Sequence, residues 1–491
     1  MSDLIRVRME GHDNRHELYE LIRVFFPNRG IEFVDEDKVF PDGLTIKSIL
    51  MDRIDKNLAI TRLYRGGDLI KESLVNIDDI HIEGYPTRKI IRNALKKSIY
   101  DCLIDEVEMD IPWGILTGIR PIKIVHEMMD RGLDEKEIEG ILASEFRISR
   151  DKTQLMLDIA SIQRRHIYPL DRDKYSFYIG IPFCPSRCSY CSFPAFGIGK
   201  DYDRVKNYVD TLVYEIQELK GIMEGKWLNT VYIGGGTPTS LRVEDLERII
   251  TTVKDTFKDD DIREFTVEAG RPDTLNDEML GMLKSTGIDR ISINPQTMNP
   301  RTLDRIGRYH DIKSTISSYQ LAKDHGFDII NMDIIIGLPG ESIQDVAHTL
   351  EEIESLDPDN LTVHTLALKR GSRLLNQGKD LSTSADDIRA MLELTEAKAA
   401  DMKMFPYYLY RQKQILGNLE NVGYSKLGKE CIYNISMMEE KETVMGLGLG
   451  AVSKIYFPDE DRIERLPNFK DLGEYSRRID ELLLKKKNFI S

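Results

Sequence analysis

The chain has 491 residues, 41% hydrophobic and 31% charged, and 83 acidic side chains against 68 Lys and Arg give a formal net charge of -15. This length exceeds one ordinary hydrophobic core and predicts two or three domains, while the acidic balance argues against broad nucleic-acid binding, which needs a basic surface. No stretch approaches the roughly 20 apolar residues of a membrane span, and MSDLIRVRME carries no secretory signal, so the expected location is the cytoplasm.

Residues 1 to about 110 predict a small α+β module, in which LIRVRMEG, LTIKSILMD and NLAITRLYRGGDLIKESLVNI alternate around the helical HELYELIRVFF. No chemical signature stands in it. A mainly helical connector is expected over 111–173: WGILTGIRPIKIV begins at Trp113, and Gln154 to Tyr168 reads as a helix leading into the next strand. Over 174–370 short β-rich runs alternate with amphipathic helices. The strands are KYSFYIG, NTVYIGG, EFTVEAG, RISIN, DIINMDIIIG and NLTVHTLAL. DRVKNYVDTLVYEIQELK and VEDLERIITTVKDTF, between them, repeat apolar residues at helical spacing. Six strand-then-helix units imply a parallel sheet with helices outside, because right-handed crossovers return the chain to the same sheet. The predicted fold is therefore α/β, a partial (β/α)6 barrel. Residues 371–491 turn helical, then give PYYLYRQK and the glycine-rich GLGLGAVSK, and are expected to close the barrel as a helical C-terminal extension.

Three of only five cysteines fall in CPSRCSYC, as Cys184, Cys188 and Cys191, directly after the first barrel strand. In a cytosolic chain disulfides are rare, and clustered thiols hold metal or do catalysis. C-x3-C-x2-C departs from the paired spacing of four-ligand zinc sites. Three close thiolates suit a 4Fe-4S cluster whose fourth iron stays open to a cofactor or substrate. The alternatives are three buried free cysteines, or zinc borrowing a His or Cys431 as its fourth ligand. Cys102 and Cys431 are otherwise expected to be inert core residues.

Parallel barrels place their chemistry at the carboxyl ends of the strands, and the later strand ends supply polar groups. GGGTPT, Gly234 to Thr239, follows the second strand with backbone that a ligand can approach closely. Glu268 ends the third strand, Gln296 the fourth, Arg308 is expected on the next helix, and Asp333 lies in the fifth strand. A carboxylate such as Glu268 can pair with an ammonium group, and Asp333 suits ribose hydroxyls.

YIGIPFCPSRCSYCSF, with Tyr190 just before the third cysteine, resembles the signature of radical S-adenosylmethionine (SAM) enzymes. In that superfamily the open iron chelates SAM, and one electron cleaves its sulfonium to a 5′-deoxyadenosyl radical. With GGGTPT, VEAGRPDTL, INPQTMNPRTLDRIGR and NMDIIIGLPG, the stretch from about Tyr175 to Ser453 resembles the oxygen-independent coproporphyrinogen III dehydrogenases. The N-terminal module, VHTLALKRGSRL and PYYLYRQKQILGNLENVGY further resemble the HemZ-type branch of that family.

The resemblance implies a 4Fe-4S cluster on Cys184, Cys188 and Cys191, and SAM contacts at Tyr178, Tyr190, Gly235, Gly236, Thr237, Glu268, Gln296, Arg308, Asp333, Ala367 and Val452. It implies conversion of two propionates of coproporphyrinogen III to vinyl groups in haem biosynthesis, the radical acting in place of a catalytic side chain. It also implies a tetrapyrrole substrate and a soluble flavodoxin- or ferredoxin-type electron donor, while composition and hydropathy lead to the expectation of no nucleic-acid partner and no membrane span. Anionic propionates call for Arg or Lys near the barrel mouth, and Lys369 and Arg370 are candidates by position.

Two departures stand out. The best-known dehydrogenases have a histidine where this chain has Gly180 and a fourth cysteine where it has Phe193. Relatives that resemble haem carriers share the loss of that cysteine. A haem chaperone on the same scaffold is thus the first alternative, with His364, His310 or Tyr407 as axial-ligand candidates, and another tetrapyrrole modification is the second. RNA modification would want a basic, aromatic-studded surface, which the Asp- and Glu-rich N-terminal module does not supply.

Overall fold

A computed structural model describes residues 4–490 except 36–39, 41, 42, 54, 55, 81, 83, 109, 194, 200, 201, 259, 260, 368–371, 377–382, 413 and 414. The chain divides between Ala160 and Ser161 into two compact units. In the first, strands β1 (Leu4–Glu10), β2 (Gly30–Phe33), β3 (Leu44–Arg53), β4 (Lys56–Arg65) and β5 (Asp68–Asn76) form a sheet in the order β2-β1-β3-β4-β5. β1 is parallel to both neighbours, and β3 to β5 form an antiparallel meander. Ile5 and Val7 of β1 are fully buried while Arg6 and Arg8 alternate outward, the two-residue period of a half-buried strand.

The helix Thr87–Leu103 packs on β4 and β5. It buries Cys102, whose thiol lies 3.7 Å from the Thr61 carbonyl and is pushed up to about 11 by burial, as an inert core cysteine requires. Trp113 is fully buried, and Gly114 adopts φ +50°, where an added Cβ would meet the Phe146 carbonyl at 2.1 Å. The glycine of WGILTG is thus needed for close packing against the end of the helix Glu135–Phe146.

The second unit carries β6 (Lys174–Ile181), β7 (Phe183–Cys184), β8 (Phe196–Gly197), β9 (Trp227–Gly235), β10 (Glu264–Glu268), β11 (Arg290–Ser292), β12 (Ile329–Ile336) and β13 (Asn360–Thr365). β6, β9, β10, β11, β12 and β13 are parallel and adjacent in chain order. Helices Asp203–Ile222, Val243–Thr256, Asp277–Ser285, Ile312–Asp324 and Ile343–Leu356 connect them. This is the partial (β/α)6 barrel expected from the repeating pattern.

Each strand sorts its residues by alternation. Phe177, Ile179, Val231, Ile233, Val267, Ile291 and Ile330, all 0% exposed, form the apolar set that the helices cover. The alternate positions are polar: Ser176 and Tyr178 on β6, Thr230 and Tyr232 on β9, Glu264 and Glu268 on β10, Asn331 and Asp333 on β12. Deep in this polar set Arg290 bonds Glu264 at 3.1 Å, and Glu264 also accepts from the Cys431 thiol at 3.2 Å.

The C-terminal extension is more than helical. It adds β14 (Phe405–Tyr410), β15 (Asn421–Ser425), β16 (Thr443–Leu447), β17 (Val452–Phe457) and β18 (Arg462–Pro467). Among the described residues these extend both edges of the sheet, which runs β14-β15-β13-β12-β11-β10-β9-β6-β16-β17-β18 and does not close into a ring. The physical reason is that β13 and β6 each end the parallel set with an unpaired edge, and such an edge is satisfied by adding a strand.

Candidate functional site

β6 delivers the chain to the cysteine loop, and backbone bonds hold that loop against its neighbours. Gly236 N–H donates to Ile181 O at 2.7 Å, Thr237 N–H to Phe183 O at 2.8 Å, and Ser189 N–H to Ile306 O at 2.9 Å. An added Cβ at Gly236 would meet Phe183 O at 2.5 Å and Cys184 Sγ at 3.0 Å, so only glycine fits beside the first cysteine. Cys184, Cys188 and Cys191 are free thiols lining one cavity of about 90 Å³, together with Thr237, Arg271 and Arg308. Thr237 Oγ1 donates to Cys184 Sγ at 3.5 Å, and burial pushes the Cys184 and Cys191 thiols up. Among the described residues no three His, Cys, Asp or Glu side chains converge on a single ion. Cys431 is committed to the Glu264–Arg290 network and does not line this cavity, so it supplies no fourth zinc ligand.

A larger cavity of about 570 Å³ opens beside the first and shares Gly236, Glu268 and Asn294 with it. Tyrosines form much of its wall. The Tyr232 and Tyr433 rings stack at 4.5 Å between centroids, and Tyr178 stacks on them at 6.4 and 6.3 Å. Glu268 accepts from Tyr232 Oη at 2.5 Å and from Gly235 N–H at 3.2 Å; burial nevertheless pushes its carboxyl up to about 7. Asp333 accepts from Asn294 Nδ2 at 2.8 Å and Asn331 Nδ2 at 2.6 Å, with His364 Nε2 at 3.6 Å. Val452, at the start of β17, lines this cavity too.

Arg308 lies just past the helix Pro300–Arg305, in a loop instead of on the helix expected to carry it. The short helix ends at Ile306–Gly307, and this turn delivers the guanidinium back under the barrel mouth. Arg308 Nη1 donates to Gly270 O at 2.9 Å and Asn294 O at 2.8 Å, and its Nε approaches Tyr190 Oη at 3.4 Å. Among the described residues no carboxylate forms an ion pair with it. Gln296 lies four residues past β11 in the left-handed region, φ +67°, held by Gln296 N–H to Asp333 O and Ile335 N–H to Gln296 O, both 2.9 Å. It lines a third cavity of about 200 Å³ with Ala367, Tyr190 and Cys191.

Lys369 and Arg370 lie outside the described residues. His364 lines the second and third cavities, with Nδ1 3.0 Å from Tyr410 Oη; His310 and Tyr407 are buried and line none of the three. Sequence reasoning missed Tyr232, Tyr433, Asn294 and Arg271. The first and third stand two residues before Gly234 and two after Ser292, so strand alternation alone marks them as facing the cavity side.

Residues 178–353 match the radical SAM superfamily. The oxygen-independent coproporphyrinogen-III oxidase-like protein HemZ of Bacillus subtilis is 38% identical over 97% of this chain and 96% of its own length. This chain belongs to the HemZ-type branch of that family. As a radical SAM protein it uses a 4Fe-4S cluster and S-adenosylmethionine. Heme chaperone HemW of B. subtilis is 31% identical over 56% of this chain and 70% of its own. The structure of coproporphyrinogen III oxidase HemN from Escherichia coli, a radical SAM enzyme, matches with a TM-score of 0.52 at 21% identity, over 66% of this chain and 72% of that one, a likeness of fold.

The HemZ-type site fits both groups chemically. Three thiols without a fourth donor suit a multi-iron cluster better than a single ion. A buried guanidinium without a carboxylate is costly unless an anion joins it. The buried Gln296 Oε1 and Asn294 Oδ1 atoms have no hydrogen-bond partner, as polar groups awaiting a ligand would.

Proposed function

We propose that this HemZ-type chain is a cytoplasmic coproporphyrinogen dehydrogenase, an oxidoreductase that decarboxylates two propionates of coproporphyrinogen III oxidatively, without oxygen, to the vinyl groups of protoporphyrinogen IX. The observation that carries this reading is the shared wall of Gly236, Glu268 and Asn294. A cofactor anchored at the thiols reaches the 570 Å³ tyrosine-lined chamber directly, and that chamber suits a large, mainly apolar macrocycle.

Cys184, Cys188 and Cys191 would hold three irons of the cluster. Bound together, cluster and SAM supply a carbon radical able to take hydrogen from an unactivated C–H, chemistry beyond any side-chain base. The chain's own work is binding and orientation. Glu268 would pair with the ammonium group of SAM, Arg308 and Tyr190 would meet its anionic end, and Asp333 would hold the ribose hydroxyls. Gly235, Gly236 and Thr237 offer close backbone, while Tyr178, Gln296, Ala367 and Val452 would complete the contacts. Lys369 and Arg370, two and three residues past Ala367, are the proposed propionate partners, and a soluble flavodoxin- or ferredoxin-type protein is the proposed donor.

The likeness to HemW supports a second reading, haem carriage, with His364 as the candidate ligand on the cavity wall. One anaerobic experiment separates the two. Reconstituted protein is given SAM, dithionite, coproporphyrinogen III and an electron acceptor, and products are quantified by chromatography. Substrate-dependent 5′-deoxyadenosine with the divinyl product is expected; a loaded cluster without decarboxylation overturns the dehydrogenase, and haem titration of the parent against His364→Ala then tests carriage.

A further inference from the structure

The cysteine cavity has three arginines in its wall, Arg187, Arg271 and Arg308, and the last two are treated differently. Among the described residues Arg308 meets two backbone carbonyls and Tyr190. Arg271, 4% exposed, is fully engaged. Its Nε and Nη2 donate to the two carboxylate oxygens of Asp273 at 2.9 and 2.7 Å, a planar two-point pair. Its Nη1 donates to Ser186 Oγ at 2.8 Å and Ser186 O at 3.2 Å, in the middle of the stretch between Cys184 and Cys188. The pair is itself anchored: Thr274 Oγ1 donates to Arg271 O at 2.8 Å and shares a 2.6 Å contact with Thr239 Oγ1 of the glycine loop. His310, buried beside these groups with both ring nitrogens unpartnered, is held down to about 4 by burial and by Arg308, so it adds no charge at neutral pH.

We propose that Arg271 is a positioning residue for the cysteine loop and that Asp273 sets how much of its positive charge reaches the iron site. This rests on the reading that Cys184, Cys188 and Cys191 hold the cluster. A guanidinium with three donor groups fixed in two directions locks the Ser186 backbone, and with it the spacing of the first two thiols. Reduction adds an electron to a cluster, so a bare cation nearby favours the reduced form and a bare anion disfavours it. With Asp273 paired, Arg271 contributes a near-neutral dipole, whereas among the described residues Arg308 has no carboxylate ion pair. Asp273 is half-buried, its side chain 30% exposed, so its charge can be removed by a mild substitution.

The test compares the parent with Asp273→Asn, Arg271→Lys and Arg271→Met in the full chain, reconstituted anaerobically without SAM. Iron and sulfide per chain are measured first, then the cluster's midpoint potential by reductive titration followed by electron paramagnetic resonance. Asp273→Asn is expected to load fully and to shift the potential upward. Arg271→Met is expected to shift it downward and to load poorly, with Arg271→Lys restoring both in part. Full loading of Asp273→Asn with the parent potential, or a downward shift, overturns the proposal even where Arg271→Met fails to fold. A parent that binds no cluster overturns the cysteine reading instead.

Discussion

Tyr232 of β9 donates a 2.5 Å hydrogen bond to Oε1 of Glu268 on the adjacent β10, and Gly235 N–H reaches the other carboxylate oxygen at 3.2 Å. Two strands thereby present one carboxylate to the cavity. Burial outweighs both donors and pushes it up to about 7.

A carboxyl raised in the folded state binds its proton there while the unfolded chain has already released it, so stability falls as pH rises from about 4.5 to about 7. The full effect is on the order of 3 kcal/mol. Glu268→Gln keeps an oxygen for Tyr232 and removes the titration. The melting temperature of this variant, measured without SAM, is expected to gain on the parent between pH 5 and pH 8; parallel pH curves would refute the assignment.

Cys184→Ala, Cys188→Ala and Cys191→Ala are each expected to abolish SAM cleavage, read as 5′-deoxyadenosine formed with dithionite. Their far-ultraviolet circular dichroism is expected to match the parent, because each change removes one sulfur atom from a cavity wall and leaves the helices and the main sheet intact. Full cleavage by any one of them sinks the cluster reading.

Arg308→Met removes the cation that lacks a carboxylate partner. If it meets the anionic end of SAM, losing a buried charge-assisted contact costs about 2 kcal/mol or more, so SAM dissociation constants by equilibrium dialysis are expected to rise more than tenfold. Arg308→Lys, keeping charge but not the fork, is expected to fall between. Unchanged affinity in both variants would move the anion site elsewhere.

The glycine-rich loop is secured from the far end of the chain. Lys486 and Glu215 are both 0% exposed and 2.6 Å apart; Lys486 also donates to Gly446 O at 2.6 Å, and Gly448 N–H donates to Glu215 at 2.8 Å. Lys486→Met strands a buried carboxylate and is expected to cost about 3 to 5 kcal/mol in urea unfolding. Lys486→Met combined with Glu215→Leu is expected to recover part of that. A loss below 1 kcal/mol for the single variant would contradict a buried ionised pair.

Much of the barrel was legible because its signals are local. The apolar runs of β6, β9 and β12 and the helical spacing between them report a parallel sheet without any long-range information. The cysteine loop was legible for the same reason, three thiols within eight residues. Arg308 falls just beyond a six-residue helix because the ends of short helices are weakly encoded, and β14 to β18 give little sequence signal because short runs such as TVMGL carry little periodicity.

The α/β alternation, the metal-ligand spacing and the family are each written in contiguous residues. Three-dimensional packing alone shows that Tyr178, Tyr232 and Tyr433 stack as one wall, that Arg271 grips Ser186, and that β16 lies beside β6 while β15 lies beside β13. Those pairings join positions tens to hundreds of residues apart. They are set by which strand edges remain open and which buried charges still need partners once the core has packed, and no local pattern encodes that outcome.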